Sequence, residues 1–184
     1  MLKKRQYNSP LIAFLTLISA IVLGTNAGCS AQASTLLIIP ASKTTIVLPS
    51  ETIPSEETAA KELQHYLAQI TGSDCQIVAE KAGTALQGTA IYVGPTQFAK
   101  THLTDKSTFA DEEWAMQTSG DALILTGGRP RGTLYAVYHF LEDVCGVHWW
   151  TPWEETVPHT KVLSIPPLNK RGQPAFRYRD IHTL

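Results

Sequence analysis

The chain has little cysteine, no basic excess and no apolar run long enough to cross a bilayer, and each shortage removes a class of function. Its 3 cysteines, Cys29, Cys75 and Cys145, lie too far apart for a zinc cluster. His139, His148, His159 and His182 are scattered, so we expect no metal centre and no cofactor. Lys and Arg number 15 against 16 Asp and Glu, a formal charge of −1, which offers nothing to nucleic acid. No Gly-Lys-Ser or Gly-Lys-Thr occurs, and the Gly127-Gly128 turn lacks the glycine spacing of a dinucleotide fingerprint or a P-loop. The longest apolar run, Leu11 to Leu23, is about 13 residues, short of the roughly 20 that a membrane-spanning helix needs.

That run has another use. Residues 1–28 carry Lys3, Lys4 and Arg5, then the run, then small residues, the layout of an export signal. We therefore expect export to a bacterial periplasm or cell surface. Two cleavage sites compete. Ala27-Gly28-Cys29 resembles the lipobox of bacterial lipoproteins, with Asn26 where Leu is usual, and would make Cys29 the lipid attachment residue, for example on an outer membrane. Ala31-Gln32-Ala33 suits ordinary signal peptidase. The lipoprotein reading is preferred. Removing residues 1–28 leaves 12 Lys and Arg against 16 Asp and Glu, a formal −4. An exported chain could oxidise Cys75 and Cys145 to a disulfide, but two separately buried thiols are the preferred reading.

About 150 residues then remain, enough for one compact domain, placed at 34–166. Thr35 to Ile39 and Thr44 to Leu48 read as short strands split by Pro40. Ser55 is the expected cap of a helix with Glu56 and Glu57 in its first turn and Ala60, Leu63, Leu67 and Ile70 on one face, ended by Gly72. Cys75 to Ala79 and Ala90 to Gly94 read as strands, the second apolar enough for the middle of a sheet. Glu113 to Thr118 and Ala122 to Thr126 form a hairpin around a three-residue turn, Ser119-Gly120-Asp121. A helix from Pro130 to Val144 puts Leu134, Val137, Tyr138, Leu141 and Val144 on one stripe. The fold expected is an α/β (α+β) layered domain, a mixed sheet with two main helices packed on it.

Beyond this helix Gly146 suits a left-handed position, and Trp149, Trp150 and Trp153 put 3 of the chain's 4 tryptophans in five residues. Their rings could seat a partner domain, fill the core or stack on a sugar; the domain interface is preferred, with substrate contact kept open for all three. Arg129 and Arg131 read as surface or inter-domain ion pairs. Glu112-Glu113 and Glu154-Glu155 read as solvated acids rather than a catalytic pair. Lys161 to Ile165 suits an edge strand, and residues 167–184 read as a proline-rich linker running into a new strand, Ala175 to Ile181, as though a further domain followed.

The block Gly127-Gly128-Arg129-Pro130-Arg131-Gly132-Thr133-Leu134-Tyr135-Ala136, then Gly146-Val147-His148-Trp149-Trp150-Thr151-Pro152, then Val157-Pro158, resembles an N-terminal domain of large bacterial glycosidases. It is similar to the domain preceding the barrel in α-glucuronidases of the glycoside hydrolase family 67 type. It also resembles the non-catalytic N-terminal domain of β-N-acetylhexosaminidases and exported proteins of a poorly characterised bacterial family. Thr58 to Leu67 with Ile70-Thr71-Gly72, and Ile91-Tyr92-Val93-Gly94, fit the same pattern, so the likeness covers roughly residues 36 to 181.

The resemblance implies a non-catalytic accessory domain of an exported α-glucuronidase-like glycoside hydrolase acting on polysaccharide or oligosaccharide, here truncated before its barrel, with residues 167–184 as linker and start of that truncated barrel. Its partner would be a (β/α)8 barrel in the same chain, with Phe176 to Ile181 as first barrel strand. Arg179 lies in a setting similar to a sugar-contacting arginine of the hexosaminidases, although an outward position on an alternating strand is preferred for Arg177 and Arg179. A self-standing carbohydrate-binding surface lipoprotein is the alternative. No catalytic residue is expected here, because glycoside hydrolysis needs a positioned acid and a partner carboxylate, which such enzymes carry on the barrel.

Overall fold

A computed structural model of the protein describes residues 36–38, 44–81, 86 and 88–176. The export segment, Cys29, Arg177 and Arg179 lie outside them. The elements are β1 (Leu36–Ile38), β2 (Thr44–Leu48), α1 (Pro54–Thr71), β3 (Gln76–Ala79), β4 (Thr89–Val93), α2 (Gln97–His102), β5 (Trp114–Ser119), β6 (Ala122–Gly127), α3 (Gly132–Asp143), β7 (His148–Thr151), β8 (Glu154–Thr156), β9 (Leu163–Ile165) and β10 (Asn169–Gly172).

Six strands form one mixed sheet in the order β10-β5-β6-β4-β2-β3. β3, β2, β4 and β6 run parallel, and β5 turns back against β6 as a hairpin. This is the layered α/β architecture expected. The alternation of apolar residues decides which face is covered. Ile46, Ile91, Leu123 and Leu125 point to one side, where they bury against α1 and α3. Leu63 and Leu67 of α1 and Phe140 and Leu141 of α3 have no exposed surface, each worth about 1.5–3 kcal/mol for removal from water. The opposite face is partly covered by α2 and the segment after it. There Gln117 is buried, donating to the His102 carbonyl and accepting from the Thr104 N–H, both at 2.8 Å.

α1 forms over the expected residues but starts differently. Its N-cap is Ile53, not Ser55, and Pro54 opens the first turn. Glu56, three residues past the cap, turns its carboxylate back to the Ile53 N–H at 3.2 Å. The Ser55 hydroxyl is instead a donor to the Pro130 carbonyl, tying α1 to the turn before α3. Gly72 closes the helix with φ +68°, as its missing Cβ allows.

α3 is shorter than expected, and its buried stripe is rotated. Pro130 lies before the helix, and the covered residues include Thr133, Ala136, Val137, Phe140 and Leu141, whereas Leu134, Tyr138 and Val144 are only half-buried. Two adjacent helices set this rotation: α1 packs along α3, so the buried arc widens toward Ala136 and Phe140. Gly146 does take a left-handed φ of +77°, letting the Val147 N–H reach back to the Leu141 carbonyl at 2.9 Å.

The β5–β6 turn is tighter than expected. Ser119 pairs with Ala122, so Gly120-Asp121 alone make the turn, with Gly120 at φ +58°. α2 was not anticipated. Its six residues are too few for a periodic signature, and its start is secured by Thr96, whose hydroxyl accepts from the Ala99 N–H at 3.0 Å. Glu80 adds a second cap, its carboxylate accepting from the Gln97 and Phe98 N–H groups at 2.6 and 3.0 Å.

The largest departure lies at the end of the described chain. Residues 169–172, read as linker, form β10, the edge strand paired with β5. Arg171 fixes it. The guanidinium holds Glu113 at 2.5 Å and Asp105 at 2.8 Å and lies over the Phe109 ring at 4.3 Å. Gly172 permits the pairing, since a Cβ there would stand 2.7 Å from the Trp114 ring, which stacks on His139. β9, expected at an edge, pairs with β1 in a separate two-stranded sheet.

Cys75 and Cys145 are free and buried. Burial pushes their thiols up to about 11 and about 12 respectively, so neither is a nucleophile at neutral pH.

Candidate functional site

Two segments invite a functional reading, the glycine turn before α3 and the aromatic hairpin after it. The glycine turn is packing. The Glu113 carbonyl accepts the Gly128 N–H at 2.8 Å and sits where side chains at Gly127 and Gly132 would go, 2.3 and 2.1 Å from their ideal Cβ positions. A Cβ on Gly128 would lie 1.9 Å from the Ala110 carbonyl oxygen. The glycines are there because two backbones meet.

The arginines of this turn make ion pairs inside the domain rather than toward another. Arg129 grips the buried Glu56 with two bonds, at 3.0 and 3.2 Å, and reaches the Glu51 carbonyl at 3.0 Å. Arg131 pairs with Glu112. Both guanidiniums near the start of α3 are thus held by carboxylates rather than left to meet an anion.

Glu112 and Glu113 are not the solvated acids expected. Glu112 is buried and in a left-handed conformation, φ +62°. The Arg171 guanidinium beside Glu113 holds that carboxyl below the usual carboxylate range, so it stays ionised at neutral pH and is unsuited to act as a general acid.

The hairpin differs in kind. β7 and β8 pair away from the main sheet, with His148 opposite Thr156 and Trp149 opposite Glu155, and the register slips at Trp150. The bulge separates the three tryptophans. Trp149 turns inward. Its ring meets Tyr66 of α1 and Tyr138 of α3 edge-on, each at 5.4 Å between centroids, and its indole N–H donates to the Tyr66 hydroxyl at 2.7 Å. Tyr66 passes the chain on, donating to Glu155 at 2.7 Å. Burial and the Glu155 carboxylate raise the Tyr66 phenol above its ordinary value, and burial and Glu62, which accepts from Tyr138, do the same for that phenol.

Trp150 and Trp153 turn outward, 63% and 93% exposed. Trp150 keeps an indole N–H bond to the Thr156 hydroxyl at 3.0 Å, and Trp153 caps the tip of the hairpin at Pro152-Trp153. The cluster therefore divides: Trp149 is half-buried and packs against the core, while Trp150 and Trp153 present flat apolar faces to solvent.

Between the hairpin and the two helices lies an open cleft of about 640 Å³, lined by Glu62, Tyr66, Tyr138, Trp149, Trp150 and Glu155 among others, with Glu154 at its edge. None of the residues lining it is basic. A larger hollow of about 850 Å³ beside α2 and β3 is mostly apolar, and its carboxylate, Glu80, is taken up in capping α2. Among the described residues no group of three His, Cys, Asp or Glu is placed to hold a metal, and no helix is long and apolar enough to cross a membrane.

The comparisons with known proteins agree with this architecture. The family model described as glycosyl hydrolase family 67 N-terminus matches residues 32–140, stopping short of the aromatic hairpin. Among solved structures the chain is similar to the family GH115 4-O-methyl-α-glucuronidase BtGH115A, described as specific for decorated arabinogalactans. The TM-score is 0.60 at 14% identity, over 78% of this chain and 19% of that one. A Streptomyces plicatus β-hexosaminidase matches 74% of this chain and 25% of its own at 12% identity, with a TM-score of 0.37 that is too low to bear on the fold. The chain thus spans only a fraction of the length of the solved proteins it matches. A comparison with curated proteins finds no match. With most of the layered domain inside the matched span, the chain belongs to the glycosyl hydrolase family 67 N-terminal domains.

Proposed function

We propose that this is the non-catalytic N-terminal domain of an exported glycoside hydrolase of the α-glucuronidase kind, acting on polysaccharide or oligosaccharide beside a (β/α)8 barrel of the same chain. The family match over residues 32–140 carries the reading. Ion pairing of Glu112 and Glu113 supports a non-catalytic role, since an acid locked to an arginine neither donates nor shuttles a proton. The export layout of residues 1–28 and the lipobox-like Ala27-Gly28-Cys29 add a lipid anchor at Cys29 as the route to the cell surface.

Native protein captured from its source cells with an antibody to this domain tests the reading. Expected is a polypeptide heavier than 20.1 kDa that releases glucuronic acid from a glucuronic-acid-bearing oligosaccharide. A lone chain of that mass without activity would contradict it. Cys29→Ala is expected to release the protein from membranes; unchanged membrane association would remove the anchor.

A second reading is a self-standing carbohydrate-binding surface lipoprotein, favoured by one observation, the exposed Trp150 and Trp153 beside the cleft. In this second reading the hairpin is a carbohydrate surface, with Trp150 and Trp153 as ring contacts and Trp149 as the residue that positions them; in the first the preferred role of the same rings is to seat the barrel, with sugar contact kept open. Arg179 remains a candidate sugar contact within the barrel reading.

A further inference from the structure

We propose that the cleft between α1, α3 and the β7–β8 hairpin is a glycan subsite for sugars that carry no carboxylate, and that its acidic rim rejects uronate rings. The inference rests on the hairpin being a carbohydrate surface and goes beyond that by naming the class of sugar.

Three observations converge. Trp150 is placed at a bulge with its ring outward and Trp153 at the tip, so two indole faces are offered next to the cleft. Sugar rings lay their C–H faces on such surfaces. Glu62, Glu154 and Glu155 line the same cleft without a lysine, arginine or histidine among its lining residues. Glu155 and Glu62 are oriented by the hydroxyls of Tyr66 and Tyr138, which hold the carboxylates ready to accept from sugar hydroxyls.

Charge selects the ligand. A uronate ring on the tryptophans would bring its carboxylate near three like charges with no Lys or Arg among the cleft's lining residues to pair it, a repulsion that a hydroxyl-only ring avoids. Among the described residues the His148 ring, 5.4 Å from that of Trp150, is the one titratable nitrogen base in contact with these rings. A protein face on the same rim would have to cover those acids or supply cations, whereas a hydrated glycan leaves them wet. In an enzyme of the proposed kind, the cleft would therefore hold the neutral backbone of a polysaccharide and leave its uronate branches to the barrel.

Titration of the purified chain with xylohexaose and with a galacturonic acid hexamer, read by tryptophan fluorescence, tests the proposal. Xylohexaose is expected to bind, and the galacturonate at least about tenfold more weakly at low salt, the scale of like-charge repulsion a few ångströms apart. The gap is expected to narrow at high salt and in Glu154→Gln/Glu155→Gln, whose amides cannot repel. Trp153→Ala is expected to weaken xylohexaose about tenfold with an unchanged circular dichroism spectrum, the loss of one stacking face. Galacturonate binding as tight as xylohexaose, or no binding of xylohexaose, overturns the proposal. Neither result bears on the accessory-domain reading, which is judged on the mass and activity of the native protein.

Discussion

The glycine turn before α3 and the aromatic hairpin after it both look like binding elements, yet one is filled by the protein itself and the other faces water. In the turn, both arginines and the Gly128 N–H are already partnered: Arg129 holds Glu56, Arg131 holds Glu112, and the Gly128 N–H donates to the Glu113 carbonyl. In the hairpin, one tryptophan packs half-buried against the core while two stand outside it. A residue pattern rich in chemistry is thus functional only where the fold leaves that chemistry unsatisfied.

Substitutions can break this contrast, and the largest effect is expected in the turn. Gly128→Ala puts a methyl into the Ala110 carbonyl and should cost about 3 kcal/mol or prevent folding, read as a fall in the urea midpoint. A midpoint unchanged from wild type would mean the two backbones are not held together there.

Next is the clamp on β10. Arg171→Ala removes charged bonds to Glu113 and Asp105 and should lower the urea midpoint at neutral pH. Both carboxyls titrate below their ordinary values of 4.5 and 3.8, Glu113 chiefly through its hydrogen bond from the Arg171 guanidinium, Asp105 first through hydrogen bonds from the Ser107 hydroxyl and N–H and then through Arg171. Their contribution is therefore complete above those values and lost as pH falls through the lowered ones. The urea-midpoint gap between wild type and variant should shrink in acid; a gap constant with pH would exclude the ion pairs as its source.

A smaller effect is expected where the hairpin meets the helices. Tyr66→Phe deletes the hydroxyl shared by Trp149 and Glu155 and should cost about 1 kcal/mol, visible in thermal melts. No loss at all would mean that the Tyr66 hydroxyl does not hold the hairpin to α1.

Much of this was legible in the sequence, and the misses share causes. The mixed sheet and its two large helices follow from periodicity, because long amphipathic stretches have one way to bury themselves. α2 escaped because six residues carry no period, and its cap partner Glu80 is remote in sequence. β10 looked like a linker because Asn169-Lys170-Arg171-Gly172 is polar. Its stability comes from Glu113 and Asp105, contacts that a local reading cannot contain. The same blindness made Glu112 and Glu113 look solvated. The aromatic cluster was visible at once, but the bulge that splits its tryptophans between core and solvent depends on the pairing with β8.

The most direct test is the double variant Trp150→Ala/Trp153→Ala, followed in parallel by urea unfolding and by xylohexaose titration. If the hairpin is surface and function, stability should stay within about 0.5 kcal/mol of wild type while binding of the sugar, read by titration calorimetry, disappears. A loss of stability above about 1 kcal/mol with sugar binding retained would place these two rings in the core and contradict the account.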